Sequence, residues 1–465
     1  MSFLMSFAEA AQALGEALPD TQGGFSCVSI DSREIEPDAL FVALPGEKID
    51  GHCFVKQAFL KGASGALVEK SKIVEYGLAA VAAEFHCTLL PVDKSQRALQ
   101  DLAAAYLRKF PRLLRVGITG SSGKTTTKEI AAAMASCEKK VICNSGNLNS
   151  ETGLPLSVFK TRPEHEIGIF ELGMNRTGEI AELAAVLEPQ IALITNIGSA
   201  HIGNLGSKAG IAAEKKAIFS RFTGNERGLI PENDEFSSFL GENIKGSIRL
   251  FGEESARQQK KLTDLADVGF DGWEFKWEGE AVSFALPGYH NLRDAFAAAA
   301  IADEIGISAE AVRAGFRSAR PLFGRSEIIK GPVTLIRDCY NANPESMAAA
   351  IEFCDTAAWK GRRVYVLGSM LELGHDSVSA HIDLGKRLAS CQADAIFLFG
   401  KETESSGAFL RESGLKKNIF QTNDINDLKA LLSCFIREGD MILLKGSRSL
   451  SLERLCDTIG EWFVS

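Results

Sequence analysis

Residues 115–130 read RVGITGSSGKTTTKEI. An apolar run enters a turn of small residues, and a lysine and three threonines then open a segment in which Ile130, Ala133, Met134 and Cys137 fall on one helical face. Strand, glycine turn and helix in that order make a phosphate cradle. Glycines let backbone N–H groups turn toward an anion, and the helix N-terminus adds positive potential. A lysine can reach the terminal phosphates and a threonine hydroxyl can bind magnesium. The candidate cradle is Gly120, Ser121, Ser122, Gly123, Lys124, Thr125 and Thr126. The usual spacing puts a glycine five residues before Gly123, where this chain has Ile118, so the loop is shortened at its entrance while the cradle itself is kept. Gly and Ser also collect at strand–helix turns for steric reasons alone. The Gly-Lys-Thr run between a buried strand and a helix favours the phosphate reading.

Working outward, residues 24–95 carry short strand-like runs, SCVSI, ALFVAL, GALVE and TLLPV, broken by Gly, Pro and Asp. IGIFEL and QIALITNIG, after the opening loop, read as buried parallel strands of a doubly wound sheet. After Pro321, RVYVLG, DAIFLFG and DMILLKG alternate with helical stretches such as residues 379–388, which is the pattern of a further α/β unit. The expected fold is α/β in three domains. Residues 1–105 form a small α/β domain, 106–320 a central doubly wound domain with the phosphate loop, and 321–465 a C-terminal Rossmann-like α/β domain. A chain of 465 residues is long enough for this.

Apolar content of 45% and charged content of 24% are those of a globular protein, and no apolar run reaches the ~20 residues of a membrane helix. The start, MSFLMSFAEAAQALGEALPD, has no basic leader and carries Glu9 among its apolar residues, so it reads as an amphipathic helix. Ten cysteines without a Cys-x-x-Cys pair argue against zinc and disulfides; most are expected to be buried thiols in a reducing, cytoplasmic compartment. A net charge of −9 disfavours nucleic acid and anionic membrane as partners and points to small molecules. The working expectation is a monomer.

Glu171 ends IGIFEL and His201 follows QIALITNIG, which places a carboxylate and an imidazole at the carboxyl ends of two parallel strands, the edge where open α/β sheets hold ligands. Glu171 is a candidate magnesium ligand, direct or through water. His201 read alone is more often a structural hydrogen-bonder, and Lys215 in AAEKKAIF reads by default as a solvated surface lysine.

TGSSGKTT, ELGMNRTGEI and TNIGSAHIGNLGS together resemble the Mur ligases of peptidoglycan synthesis. LPGYHNLRDAFAAAA, GRSEII, DCYNANPESM, VLGSMLELG and LLKGSRSLSLERL are similar to the later motifs of the branch that adds D-alanyl-D-alanine to a UDP-N-acetylmuramoyl tripeptide. SIDSREIEPDALFVALPGEKIDGHCF resembles that branch's uridine-nucleotide-binding domain, so the resemblance covers nearly the whole chain. It implies an ATP- and Mg²⁺-dependent ligase acting through an acyl phosphate. Lys124, Glu171, His201 and Lys215 are the implied catalytic residues, and Thr125, Glu171, His201 and Lys215 the implied metal ligands. Lys215, four residues before Phe219, matches a lysine that is carboxylated in several members. Asn291, Arg325 and Asp338 are implied nucleotide contacts, and Ser32, Arg33, Asn341, Asn343, Lys445 and Arg448 implied substrate contacts.

The chain departs from the family pattern at three positions: Asp294 replaces an asparagine expected to donate to adenine, Arg337 stands where an acid often precedes Asp338, and Ser369 replaces an acid. An acid at 294 cannot make that donation. Three other readings stay open: a Mur ligase adding a different amino acid, a folylpolyglutamate synthase, and a phosphate-loop switch protein that condenses nothing. The Tyr-Asn-Ala-Asn-Pro segment and the uridine-type first domain speak against the first two. The Lys445-Gly446-Ser447-Arg448 loop has no task in the third.

Overall fold

Strand Leu114–Thr119 lies inside a six-stranded, all-parallel sheet. The strand order is Ser247–Phe251, Arg227–Pro231, Ile191–Ile194, Leu114–Thr119, Ile167–Glu171, Val141–Cys143. The computed structural model describes residues 3–16, 22–414 and 417–460. Ile167–Glu171 and Ile191–Ile194 are buried along their whole length, as unbroken apolar runs require when helices cover both faces. On one face Val116, Ile169 and Leu193 pack with Ile130 and Met134 of helix Lys124–Ser136 and Phe296 of helix Tyr289–Ile305. On the other, Phe170, Ala192 and Ile194 share a core with Leu154, Ile180 and Leu183. The chain runs to one side of Leu114–Thr119 and then crosses to the other, so the loop after Thr119 sits at the switch point where such sheets bind ligands.

Cys27–Ser29, Ala39–Val42, Gly65–Glu69 and Thr88–Val92 form a separate four-stranded parallel sheet, as the sequence runs imply. Helix Ser95–Leu107 crosses the expected boundary at 105 and shares a buried core with helix Phe7–Leu14 and with Leu154 and Leu183 of the central unit. Helix Phe7–Leu14 realises the expected amphipathic start and is closed by a Ser6–Glu9 capping box; residues 1–2 and 17–21 lie outside the described residues. The C-terminal sheet has the order Glu327–Ile329, Thr334–Asp338, Met441–Lys445, Arg363–Gly368, Ala395–Phe399, Asn418–Thr422. It is parallel except for its first pair. Among the described residues no helix is long and apolar enough to cross a membrane.

Three points differ from expectation. Leu262–Asp267, Trp273–Trp277 and Glu280–Phe284 form an antiparallel meander with no counterpart in the sequence reading. Its middle strand buries Phe275 and Trp277 against Phe316 of helix Ala309–Ser318 and Trp273 beside Tyr289, while Glu274 and Lys276 face out. Among the described residues no disulfide joins the cysteines, but only Cys339, Cys354 and Cys391 are buried, while Cys53, Cys137 and Cys434 are exposed. Cys137 forms the C-cap of helix Lys124–Ser136, past the last turn that packs on the sheet.

Candidate active site

The turn after Thr119 is pinned from the neighbouring strand end. Ser121 N donates to Asn196 O (3.0 Å), Ser122 N donates to Asn196 Oδ1 (3.1 Å), and Thr195 Oγ1 donates to Ser122 O (2.6 Å). Ser121 Oγ donates to Gly198 O (3.1 Å) and accepts from Gly198 N (2.8 Å). The serines thus shape the loop. Gly123 has φ +80°, a left-handed conformation suited to glycine, and a Cβ built on it would stand 2.1 Å from Asp294 Oδ1. Lys124 Nζ donates to Gly120 O at 3.0 Å, and burial lowers the pKa of its amine.

Glu171 sits beside this loop. Its Oε2 accepts from Thr125 Oγ1 (2.8 Å) and its Oε1 from Asn149 Nδ2 (2.7 Å). Asn144 braces the same strand end, donating to Glu171 O (2.9 Å) and accepting from Glu171 N (2.9 Å). Arg325 Nη2 donates to Thr125 Oγ1 at 3.1 Å while its guanidinium stacks on Tyr340, 4.1 Å from the ring centroid.

Lys215 is 1% exposed, which corrects the surface-lysine default. Its Nζ lies 3.8 Å from Met174 Sδ, and burial holds its pKa well below the usual lysine value. Lys216 instead donates to Phe239 O and rests 4.3 Å above the Phe239 ring. His201 occupies a left-handed backbone position (φ 63°), and its Nδ1 lies 2.8 Å from Glu372 Oε2 in the C-terminal unit. The closeness of His201 lowers the Glu372 pKa. No group of three or more His, Cys, Asp or Glu side chains disposed to hold a metal occurs among the described residues.

From the C-terminal unit, Asp338 accepts from Lys445 Nζ (2.6 Å) and from Ser326 N (3.2 Å). Asn341 O accepts from Lys445 Nζ at 3.4 Å. Asn343 caps helix Pro344–Thr356, its Oδ1 accepting from Ser346 N (2.8 Å). Asn291 Nδ2 donates to Pro287 O (2.7 Å). All of these, with Lys124, Thr125, Thr126, Glu171, His201, Lys215 and Arg325, line one cavity of about 640 Å³. Arg448 is not part of it: its side chain is half-exposed and pairs with Glu453 (2.7 Å). Ser32 and Arg33 lie in the N-terminal unit, away from this cavity. Ser32 is buried and donates to Gln57 Oε1 (3.0 Å), and Arg33 projects outward, paired with Asp31 (2.6 Å). The substituted Arg337 pairs with Glu327 (2.7 Å). Sequence reasoning missed Asn144, Asn149, Met174 and Glu345. An asparagine pair in GNLNSETG after a strand was the available signal for Asn149.

Residues 25–107 match the Mur ligase family catalytic domain, 118–302 the Mur ligase middle domain, and 324–448 the Mur ligase glutamate ligase domain. The chain belongs to the Mur ligase family. One similar Mur ligase is the UDP-N-acetylmuramoyl-tripeptide–D-alanyl-D-alanine ligase of Treponema pallidum, 42% identical over 97% of this chain and 98% of the relative. Among solved Mur ligase structures, MurF from Acinetobacter baumannii superposes with a TM-score of 0.85 at 30% identity, covering 98% of both chains. MurF from Thermotoga maritima in complex with ADP gives 0.77 at 26% identity, covering 94% of this chain and 97% of that one.

Proposed function

We propose that this Mur ligase joins D-alanyl-D-alanine to a UDP-N-acetylmuramoyl tripeptide, with ATP as co-substrate, giving the UDP-linked pentapeptide, ADP and phosphate in peptidoglycan precursor synthesis. The observation that carries the reading is the 42% identity to the Treponema pallidum ligase across 97% of the chain. The γ-phosphoryl group passes to the tripeptide's terminal carboxylate, forming an acyl phosphate. The dipeptide amine then attacks the acyl carbon, loses its proton, and phosphate departs. Both steps bring anions together, so catalysis rests on positioning and charge neutralisation.

The residues have matching roles in this reading. Lys124 exchanges Gly120 O for the terminal phosphate, and the backbone N–H groups of residues 123–126 cradle the rest, those of Ser121 and Ser122 being taken by Asn196. Asn291, Arg325 and Asp338 hold the nucleotide; Asn341, Asn343 and Lys445 orient the acceptor, with Arg448 at the margin; Ser32 and Arg33 serve the uridine end. For Mg²⁺ the donor set fits: Thr125 Oγ1 and Glu171 Oε2 are hard oxygens 2.8 Å apart at the loop. One carboxylate completed by phosphates and water is how Mg²⁺ is usually held. When bound, the ion offsets charge on the phosphate oxygens. His201 would join this set through the ring nitrogen that does not face Glu372. Burial favours the neutral amine of Lys215, the form that reacts with carbon dioxide to give a carbamate and a proton, which would turn this cation into a metal-binding anion. The proposed setting is cytoplasmic and the proposed working unit a monomer.

The test is mass-spectrometric detection of the UDP-linked pentapeptide from ATP, Mg²⁺, UDP-linked tripeptide and D-alanyl-D-alanine, with each omitted in turn. Product and phosphate release are expected only with all four. Phosphate release without the dipeptide, or efficient use of a free diamino acid or of a folate with glutamate in its place, would refute the assignment.

A further inference from the structure

Asp294 has no place in the scheme above, yet its surroundings are unusual for a carboxylate. It lies in the first turns of helix Tyr289–Ile305, is 8% exposed and lines the central cavity, and its carboxyl group has no hydrogen-bond partner among the described residues. Its carboxyl group packs against the turn of the phosphate loop: a Cβ on Gly123 would meet Oδ1 at 2.1 Å and Oδ2 at 2.8 Å. A polyphosphate held by that loop therefore arrives beside this carboxyl group. Two anions in one enclosed, poorly solvated space repel strongly, and the acid can relieve this by keeping a proton.

We propose that Asp294 is a proton-carrying member of the nucleotide site: its neutral carboxyl admits the polyphosphate beside Gly123, and nucleotide binding takes up a proton there. This rests on the nucleotide reading of the loop. The charged groups facing Asp294 are Lys124 from the loop, Arg325 from the segment leading to the C-terminal unit, and Arg293 on its own helix. All three favour the ionised form, but burial outweighs them and pushes Asp294 up to about 7 in the free protein. A bound polyphosphate occupies Lys124 and Arg325 and adds negative charge, so both changes drive the value higher still. Protonated, the group is also a hydrogen-bond donor, which an ionised acid is not, and this revises the expectation that the acid cannot replace an asparagine amide. His290, the nearest other titrating side chain on that helix, shares a 3.0 Å hydrogen bond with Ser326, and burial lowers its pKa.

The experiment is calorimetric titration of the full chain with ADP at fixed Mg²⁺, in buffers of different ionisation enthalpy, from about pH 6.5 to about pH 8.5, on the natural protein and on Asp294→Asn. ADP and His290 titrate equally in both proteins, so the difference between them reports Asp294. The natural protein is expected to take up a proton that the variant does not, and to lose about fivefold or more in ADP affinity across that range beyond any loss in the variant. If Asp294→Asn does not fold, Asp294→Ala takes its place in the same comparison. ADP binding without proton uptake, or with the same pH slope in both proteins, overturns the inference. Failure of ADP to bind at about pH 6.5 instead overturns the nucleotide reading beneath it.

Discussion

An ammonium group that is 1% exposed, with a thioether as its contact, is costly to keep charged, and this separates Lys215 from its neighbour Lys216. Lys215→Ala is expected to lose about two orders of magnitude in kcat while Lys216→Ala stays within a few-fold. Labelled bicarbonate should give a carbamate carbon signal only when Lys215 is present. A fully active Lys215→Ala protein would remove the catalytic role, and an active, Mg-loaded sample without the signal would remove the modification. Lys124→Ala should fold normally and lose on the order of a hundred- to thousandfold in turnover, because Asn196, Thr195 and Gly198 hold the loop in several hydrogen bonds and this amine adds one, to Gly120 O. Far-ultraviolet circular dichroism and steady-state rates check both halves. Asp294 allows a stability test without ligand. Its folded value of about 7 exceeds the ordinary unfolded value of about 3.9, so the folded state binds the extra proton and stability falls as pH rises between the two. The melting temperature of Asp294→Asn relative to the natural protein should climb across that window and level off above it.

At the scale of elements, the phosphate turn depends on one backbone conformation and one close approach. Gly123→Ala is expected to cost about 1 to 3 kcal/mol in strain plus the displacement of Asp294. Gly77→Ala, at φ +60° with open space around it, carries the strain alone. Equal losses of stability in urea titrations would show that the Asp294 contact is unimportant. The same turn was readable from sequence because its signals are local: an apolar run, then Gly-Lys-Thr, then a helical period. The parallel strands IGIFEL and DMILLKG were readable for the same reason, being buried on both faces. The meander was legible in principle, since WEFKW alternates strictly between core and solvent, but its run lies outside the α/β rhythm that organises the rest. The burial of Lys215 left no trace, because KAGIAAEKK has the composition of a solvated helix and its cover comes from Met174.

The whole molecule brings its central and C-terminal units together through contacts that no local pattern encodes. Glu345, in the first turn of helix Pro344–Thr356, accepts from Ser199 N (3.0 Å) and Ser199 Oγ (2.8 Å) and pairs with Lys208 (3.2 Å). Gly203 N donates to Glu372 O (3.1 Å) beside the His201–Glu372 pair. Removing this latch with Glu345→Ala should loosen the docking, raise the radius of gyration in X-ray scattering and lower kcat about three- to tenfold, with ATP restoring part of the compaction. Unchanged scattering and kcat would show that docking does not depend on it. The cavity has a further consequence, because its positive groups come from two bodies: Lys124, Lys208 and Arg293 from the central unit, Arg325 and Lys445 from beyond it. A nucleotide resting on the central unit alone meets only part of the charge needed to stabilise phosphoryl transfer. Idle hydrolysis by water is therefore expected to stay slow until the second body has docked, a division of cations that would spare ATP between turnovers.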